Sequence, residues 1–247
     1  MELDFTFYGF LLDEAGKASG PLKTLESYAR ALPPGSAVTL KVPQAVTAHH
    51  FFRAGKAEPN PGRHDPEAFR TRFYEPAVEL LGPAIKAFLF EHEYKRKAEG
   101  PEPEENTDDQ RTFFKKLPED SRYHIEERTD RLRTPGYFSW LKSAGIGDVL
   151  SQWTYMPPLA QQAERASVLG PSTRVMRILT PPGMKYEDAY ARYHPFDKMV
   201  DLDLATIQET VRVVSALSAD GNKILVTVNN RAGGNAPEIL RQISEAL

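Results

Sequence analysis

Acidic and basic side chains stand near the downstream ends of separate apolar runs in this chain: Asp4, Lys41, Glu91, Glu126 with Arg128, and Arg177. A charge inside a strand covered on both faces costs several kcal/mol unless it is paired, so residues placed there are rarely idle. Carboxylates flanked by cations have their proton affinities pushed apart, one serving as acid and one as base. Guanidinium groups bind carboxylate or phosphate through a planar fork. These residue types point to an acid–base enzyme, of hydrolase or isomerase type, for a small polar substrate that is anionic or glycosidic. In that reading Glu126 and Glu91 form the acid–base pair, with Lys41 and Arg128 beside them in the catalytic group. Asp4, Tyr8, Trp153, Arg177, Asn229 and Asn230 then bind and orient the substrate. A carboxylate separation of about 5–5.5 Å would suit retaining glycoside hydrolysis.

Two other classes use the same residues. One is a binding module for a nucleotide, a sugar phosphate or a nucleic-acid end, supported by a basic rim of Arg53, Lys56, Arg63, Arg70 and Arg72. The other is a structural barrel in which the cations only neutralise the buried carboxylates, an arrangement whose desolvation cost offsets its Coulomb gain.

The elements that must position these groups are legible as runs. Apolar strand-like segments fall at 2–8, 37–43, 85–93, 122–128, 148–154, 174–181 and 223–230. Side chains alternate faces along a strand. Asp4 then shares a face with Thr6 and Tyr8, opposite Leu3, Phe5 and Phe7. Glu91 goes with Ala87 and Leu89, and Glu126 with His124 and Arg128. Lys41 goes with Thr39, and Arg177 with Val175. The alternation predicts that these charges converge on one cleft at the strands' carboxyl ends, as in a TIM (β/α) barrel.

Helical segments lie between the runs. Asp65-Pro66 opens 66–81 and Thr134-Pro135 opens 135–145, with Gly145 placed to end it. Thr206 with Glu209 reads as a capping box, and Asn235 with Glu238 starts the last helix. Further helices are expected near 21–31, 108–117 and 157–166. The connections 44–65, 94–107 and 181–203 are long for such a fold, and 95–109, rich in Pro and Glu, reads as a solvated loop.

The 247 residues suit a single TIM-type domain spanning 1–247. Thirty-one Lys and Arg against 34 Asp and Glu leave a charge of −3, which argues against nucleic acid as the main partner. Cysteine is absent, which excludes disulfides and thiolate chemistry. No apolar stretch reaches the roughly 18 residues that would cross a bilayer, and the start lacks a signal-peptide pattern. A cytoplasmic protein acting on a small molecule is expected, and nothing in the sequence sets its oligomeric state. His124 with Glu91 and Glu126 is the one ligand set that can be drawn. No spacing of HExxH type occurs, so neither metal nor cofactor is expected. The glycines of 232-AGGN-235 read as a structural turn.

The strand ends carry a resemblance. The chain is similar to the YecE-like family, the domain of unknown function 72. The matching segments are 2-ELDFTFY-8, Lys41-Val42-Pro43, 125-IEER-128, Arg177, and 229-NN-230 followed by Asn235-Ala236-Pro237. The family's opening strand has no counterpart, Leu179-Thr180-Pro181 replaces a family His-Gly, and 90-FEHE-93 replaces a common F-Q-L-P. The resemblance implies a TIM barrel with its pocket at the carboxyl ends of the strands, and it implies no particular reaction. Seven runs are one short of a closed eight-stranded barrel. The sequence therefore predicts that Met1 is internal to a longer chain, or that another segment or chain fills the gap.

Overall fold

The computed structural model describes residues 1–53, 56–98, 100–201 and 203–247, with the backbone alone at 52 and 53. The fold is α/β, of the TIM-barrel type, with seven strands in its main sheet. Contacts divide the chain into two units, Met1–Ile125 and Glu126–Leu247.

In the first unit β1 (Glu2–Leu3), α1 (Gly20–Ala31), β2 (Val38–Lys41), α2 (Gln44–Thr47), β3 (His50–Arg53), β4 (Lys56–Pro59), α3 (Pro66–Phe69), α4 (Glu75–Leu81), β5 (Ile85–His92) and α5 (Pro103–Phe114) follow in order. β1 pairs with β2 and β2 with β5, all parallel, while β3 and β4 make a separate antiparallel hairpin. β6 (Tyr123–Glu127) carries the chain from one unit into the next. The second unit continues with α6 (Pro135–Ala144), β7 (Gly147–Gln152), α7 (Leu159–Ala166), β8 (Thr173–Ile178), α8 (Tyr186–Tyr193), α9 (Leu204–Ala219), β9 (Lys223–Val228) and α10 (Ala236–Glu245). There β7, β8 and β9 pair in parallel, with Ser151 opposite Arg177 and Arg177 opposite Thr227.

Burial explains why most strands were legible. Every residue of β2, β6 and β7 is buried, as parallel strands covered on both faces require. The first unit packs around aromatic rings. Phe69, Phe88, Phe90, Phe113 and Tyr123 are buried, with ring centroids such as Phe69–Phe90 at 5.3 Å and Phe90–Tyr123 at 5.4 Å. In the second unit the strands contribute mainly aliphatic side chains: Val149, Leu150, Val175, Met176 and Ile178.

The first run departs from expectation. Only Glu2–Leu3 is strand, and Asp4–Tyr8 winds into a 3₁₀ helix. The Thr6 hydroxyl holds the turn by donating to the carbonyls of Leu3 (2.9 Å) and Lys41 (2.7 Å). A 3₁₀ helix repeats every three residues. Asp4 and Phe7 therefore share a side, whereas strand alternation put them on opposite faces.

Other boundaries moved for local reasons. The segment expected as one helix over 66–81 contains a π turn at Arg70–Tyr74. α5 starts at Pro103, ahead of the expected 108, because Glu102 and Glu105 form a capping box there. This places half of the expected loop 95–109 in helix. The cap of α9 is Asp203, whose carboxylate accepts from the Thr206 amide at 3.2 Å, so Thr206 lies inside the helix. The connection 44–65 holds α2 and the hairpin, and 181–203 holds α8. Asp65, Thr134 and Asn235 cap their helices, and Gly145 ends α6 with φ of 65°.

The turn at 232–235 needs its glycines for packing. A Cβ on Gly233 would lie 2.4 Å from the carbonyl oxygen of Asp201, and one on Gly234 would lie 2.5 Å from that of Lys198. Gly234 also has φ of 105°.

Candidate functional site

In the first unit the cluster forms around one lysine. β2 ends on Lys41, and β5, in register beside it, carries Glu91 near its own end. Lys41 Nζ lies 2.8 Å from Glu91 Oε2 and 3.3 Å from Asp4 Oδ1. The 3₁₀ turn adds the ring of Phe7, whose centroid is 4.0 Å from Nζ. An ammonium over an aromatic face gains electrostatically, the more so when desolvated. Lys41 is 7% exposed and Glu91 9%, but half of the Asp4 side chain is in solvent. Tyr8 is 74% exposed at the end of the 3₁₀ turn, its ring edge to face with Phe7 at 5.6 Å.

In the second unit the arrangement is inverted, with one carboxylate among several donors. Glu126, on β6, is 1% exposed. Its Oε1 accepts from the Ser151 hydroxyl at 2.6 Å and from Arg128 Nε at 3.1 Å. Its Oε2 accepts from Arg177 Nη1 and, at 3.4 Å, from Arg128 Nη2. Arg177 is 2% exposed, while Arg128 keeps 18% of its side chain in contact with solvent. The Arg128 guanidinium carbon sits 5.4 Å from the centroid of the Trp153 ring. Trp153 in turn meets Tyr155 edge to face at 4.9 Å. Each unit thus gathers its own share of the predicted charges: Asp4, Lys41 and Glu91 in one, Glu126, Arg128, Arg177 and Trp153 in the other.

Asn229 and Asn230 are occupied locally. The Asn229 side-chain oxygen accepts from the Arg231 amide at 3.0 Å, and that of Asn230 from the Ala236 amide at 2.9 Å. Together with Asn235 they fix the turn into α10. His124 has Nδ1 2.8 Å from the carbonyl oxygen of Arg122.

Three cations of the proposed basic rim are engaged. Arg63 contacts Asp109 at 2.5 Å, Arg70 bridges Glu67 and Glu75, and Arg72 donates to the carbonyl of Leu12. Lys56 is exposed, and the Arg53 side chain lies outside the described residues.

Ser151 is the residue that sequence reading missed. It sits two positions before Trp153 in the apolar run 148–154, and that spacing was the available signal. A second group is histidine-rich. His64 stacks on Phe113 at 4.6 Å and meets His92 edge to face at 5.9 Å. Burial, reinforced by Arg63 and Lys95, lowers His49 to about 3. Burial also lowers His64, against the pull of Asp109, and holds His92 well below the ordinary imidazole range.

A family model described as protein of unknown function DUF72 matches residues 1–247, and the chain belongs to that family. A solved DUF72 family protein from Enterococcus faecalis is 18% identical with a TM-score of 0.61, covering 100% of this chain and 83% of that one. Another from Thermotoga maritima is 16% identical with a TM-score of 0.59, covering 95% of this chain and 81% of that one. No curated protein matches.

Proposed function

We propose that this DUF72 protein is an acid–base enzyme whose substrate carries a phosphate or carboxylate, held by Arg128 at the carboxyl end of β6. The observation that carries the reading is the setting of Arg128. Its guanidinium is held by Glu126 and lies over Trp153, yet 18% of the side chain meets solvent. A guanidinium whose orientation is already set loses less entropy when it binds an anion. Trp153 offers an aromatic face for a sugar ring or base beside the charge.

Apart from the anion site, the first unit holds an acid–base pair of its own. Lys41 and Glu91 are in hydrogen-bond contact, buried, and of opposite charge, so a proton can pass between Nζ and a carboxylate. Glu126 fits a different role from the one its strand position implied. Donors from Ser151, Arg128 and Arg177 surround both oxygens, which suits a residue that orients Arg128. That saturation is also the observation favouring the second reading, a binding module for sugar phosphates or nucleotides without chemistry.

Calorimetric titration with ribose 5-phosphate and with ribose tests the anion site. The phosphate ester should bind at least about tenfold tighter, a gain of roughly 1.4 kcal/mol, and Arg128→Gln should erase the difference. Equal affinities in the wild type would refute the site. A panel of sugar phosphates followed by ³¹P NMR separates the two readings. Conversion by the wild type but not by Lys41→Met supports the enzyme, and conversion of no member leaves the binding module.

A further inference from the structure

A second site opens at the other end of β8. Arg174 is the second residue of that strand, three positions and about 10 Å before Arg177. It is 2% exposed. Its Nε donates to Asn222 Oδ1 at 3.2 Å, and its Nη2 to the carbonyls of Ala166 (3.2 Å) and Gly170 (2.8 Å). Its Nη1 is buried with no hydrogen-bond partner. Among the described residues no carboxylate lies within ion-pair distance of it. The nearest influence is Asp148, which is itself bound to Arg133. Burial lowers the guanidinium from its ordinary value, with Asp148 acting weakly in the other direction.

A buried cation of this kind is costly. The carbonyl at the carboxyl end of α7 supplies partial negative charge and accounts for Nη2. It does not account for Nη1. Arg174 lines a cleft of about 500 Å³ between α7 and α9, within the usual size of small-molecule sites. Small residues create the space, with Ala163 on α7 and Ala216 on α9, and Val213 and Leu217 add apolar wall. Exposed Glu164, Asp220 and Arg212 also line it, so its rim carries charges of both signs.

We propose that this cleft binds a small monocarboxylate, its carboxylate on Nη1 of Arg174 and its apolar body against Ala163, Val213 and Leu217. The ligand supplies the counter-charge that the protein leaves out, and one unpartnered nitrogen suits a single carboxylate oxygen. The site is independent of the Arg128 site and uses none of its residues.

Octanoate is the probe, with 1-octanol as its uncharged counterpart. Calorimetry should show saturable one-to-one binding of octanoate, at least about tenfold tighter than 1-octanol. Ala216→Phe fills the cleft while leaving the Arg174 hydrogen bonds in place, and should weaken octanoate at least about tenfold. The ¹H–¹⁵N signal of the Arg174 side chain in the wild-type protein should shift with octanoate and not with 1-octanol, a readout that needs no variant. Absence of saturable binding, equal affinity for 1-octanol, or an unmoved Arg174 signal would each overturn the site.

Discussion

The two charged clusters at the strand ends use opposite stoichiometries. In the first unit one cation, Lys41, serves two carboxylates, and the outer of these, Asp4, is half in water. In the second unit one carboxylate, Glu126, serves two guanidiniums and a hydroxyl, and it is closed off from solvent. A group with a solvated member can absorb the loss of a partner by drawing in water. Glu126 and Arg177, 1% and 2% exposed, cannot, because the charge left behind stays in a low-dielectric interior. On the function proposed above, proton exchange belongs to the open cluster, and the other fixes a guanidinium in space.

The largest expected effect breaks the closed cluster. Glu126→Leu removes the counter-charge of Arg177 and should cost about 3–5 kcal/mol in urea unfolding. Lys41→Met in the open cluster should cost about 1.5–3 kcal/mol, the range for a hydrogen bond to a charged group. Equal losses would erase the distinction between open and closed.

Acid should act on the first unit next. His49, His64 and His92 are all lowered by burial, whereas an unfolded imidazole titrates near 6.5. As pH falls below about 6.5, the unfolded chain takes up protons that the folded chain refuses. Stability is then full above that pH and declines toward the folded values, which for His49 is about 3. Asp109 works in a lower window. Burial raises it, but His64 and Arg63 more than offset this and hold it low, so its contribution disappears only below about pH 4. Urea midpoints between pH 7.5 and 4.5 should fall by an amount equivalent to at least about 2 kcal/mol, the share of one histidine that stays neutral. His92→Gln should flatten that fall, and hydrogen exchange should place the early opening around 44–65 and 92. A midpoint that holds constant to pH 4.5 would remove the histidines from the account.

The smallest effect sharpens the comparison. Ser151→Ala removes one of the donors on Glu126 and should cost about 1.5 kcal/mol. The companion change Thr6→Val, next to the open cluster, tests the 3₁₀ turn and should release Asp4 from Lys41. A Ser151→Ala protein as stable as the wild type would show that Glu126 has donors to spare.

Much of this was legible from the chain because buried parallel strands read as apolar runs and their terminal charges stand out. Lys41, Glu91, Glu126, Arg128 and Arg177 were found that way. The first run misled because ELDFTFY satisfies two periods at once. Alternation fits a strand, while a three-residue repeat puts Asp4 with Phe7, and the Thr6 hydroxyl decided for the latter through a long-range bond to Lys41. No local pattern carries that bond. Asn229 and Asn230 looked like ligand-binding amides, yet their oxygens cap the turn into α10, a use that depends on where residue 236 falls in space. Arg174 escaped notice because a charge near the start of a strand reads as exposed, and only the packing of α7 and α9 shows it covered.

On the function proposed above, Arg128, set by Glu126 and Trp153, holds an anion. The chain has two tryptophans, Trp140 and Trp153, and Trp140→Phe leaves Trp153 as the only reporter. Titrating that protein with ribose 5-phosphate should change the Trp153 emission along a saturating curve. Adding Arg128→Gln should abolish the change. The same curve in the presence of Arg128→Gln, or no change in Trp153 while calorimetry records binding, would contradict the account.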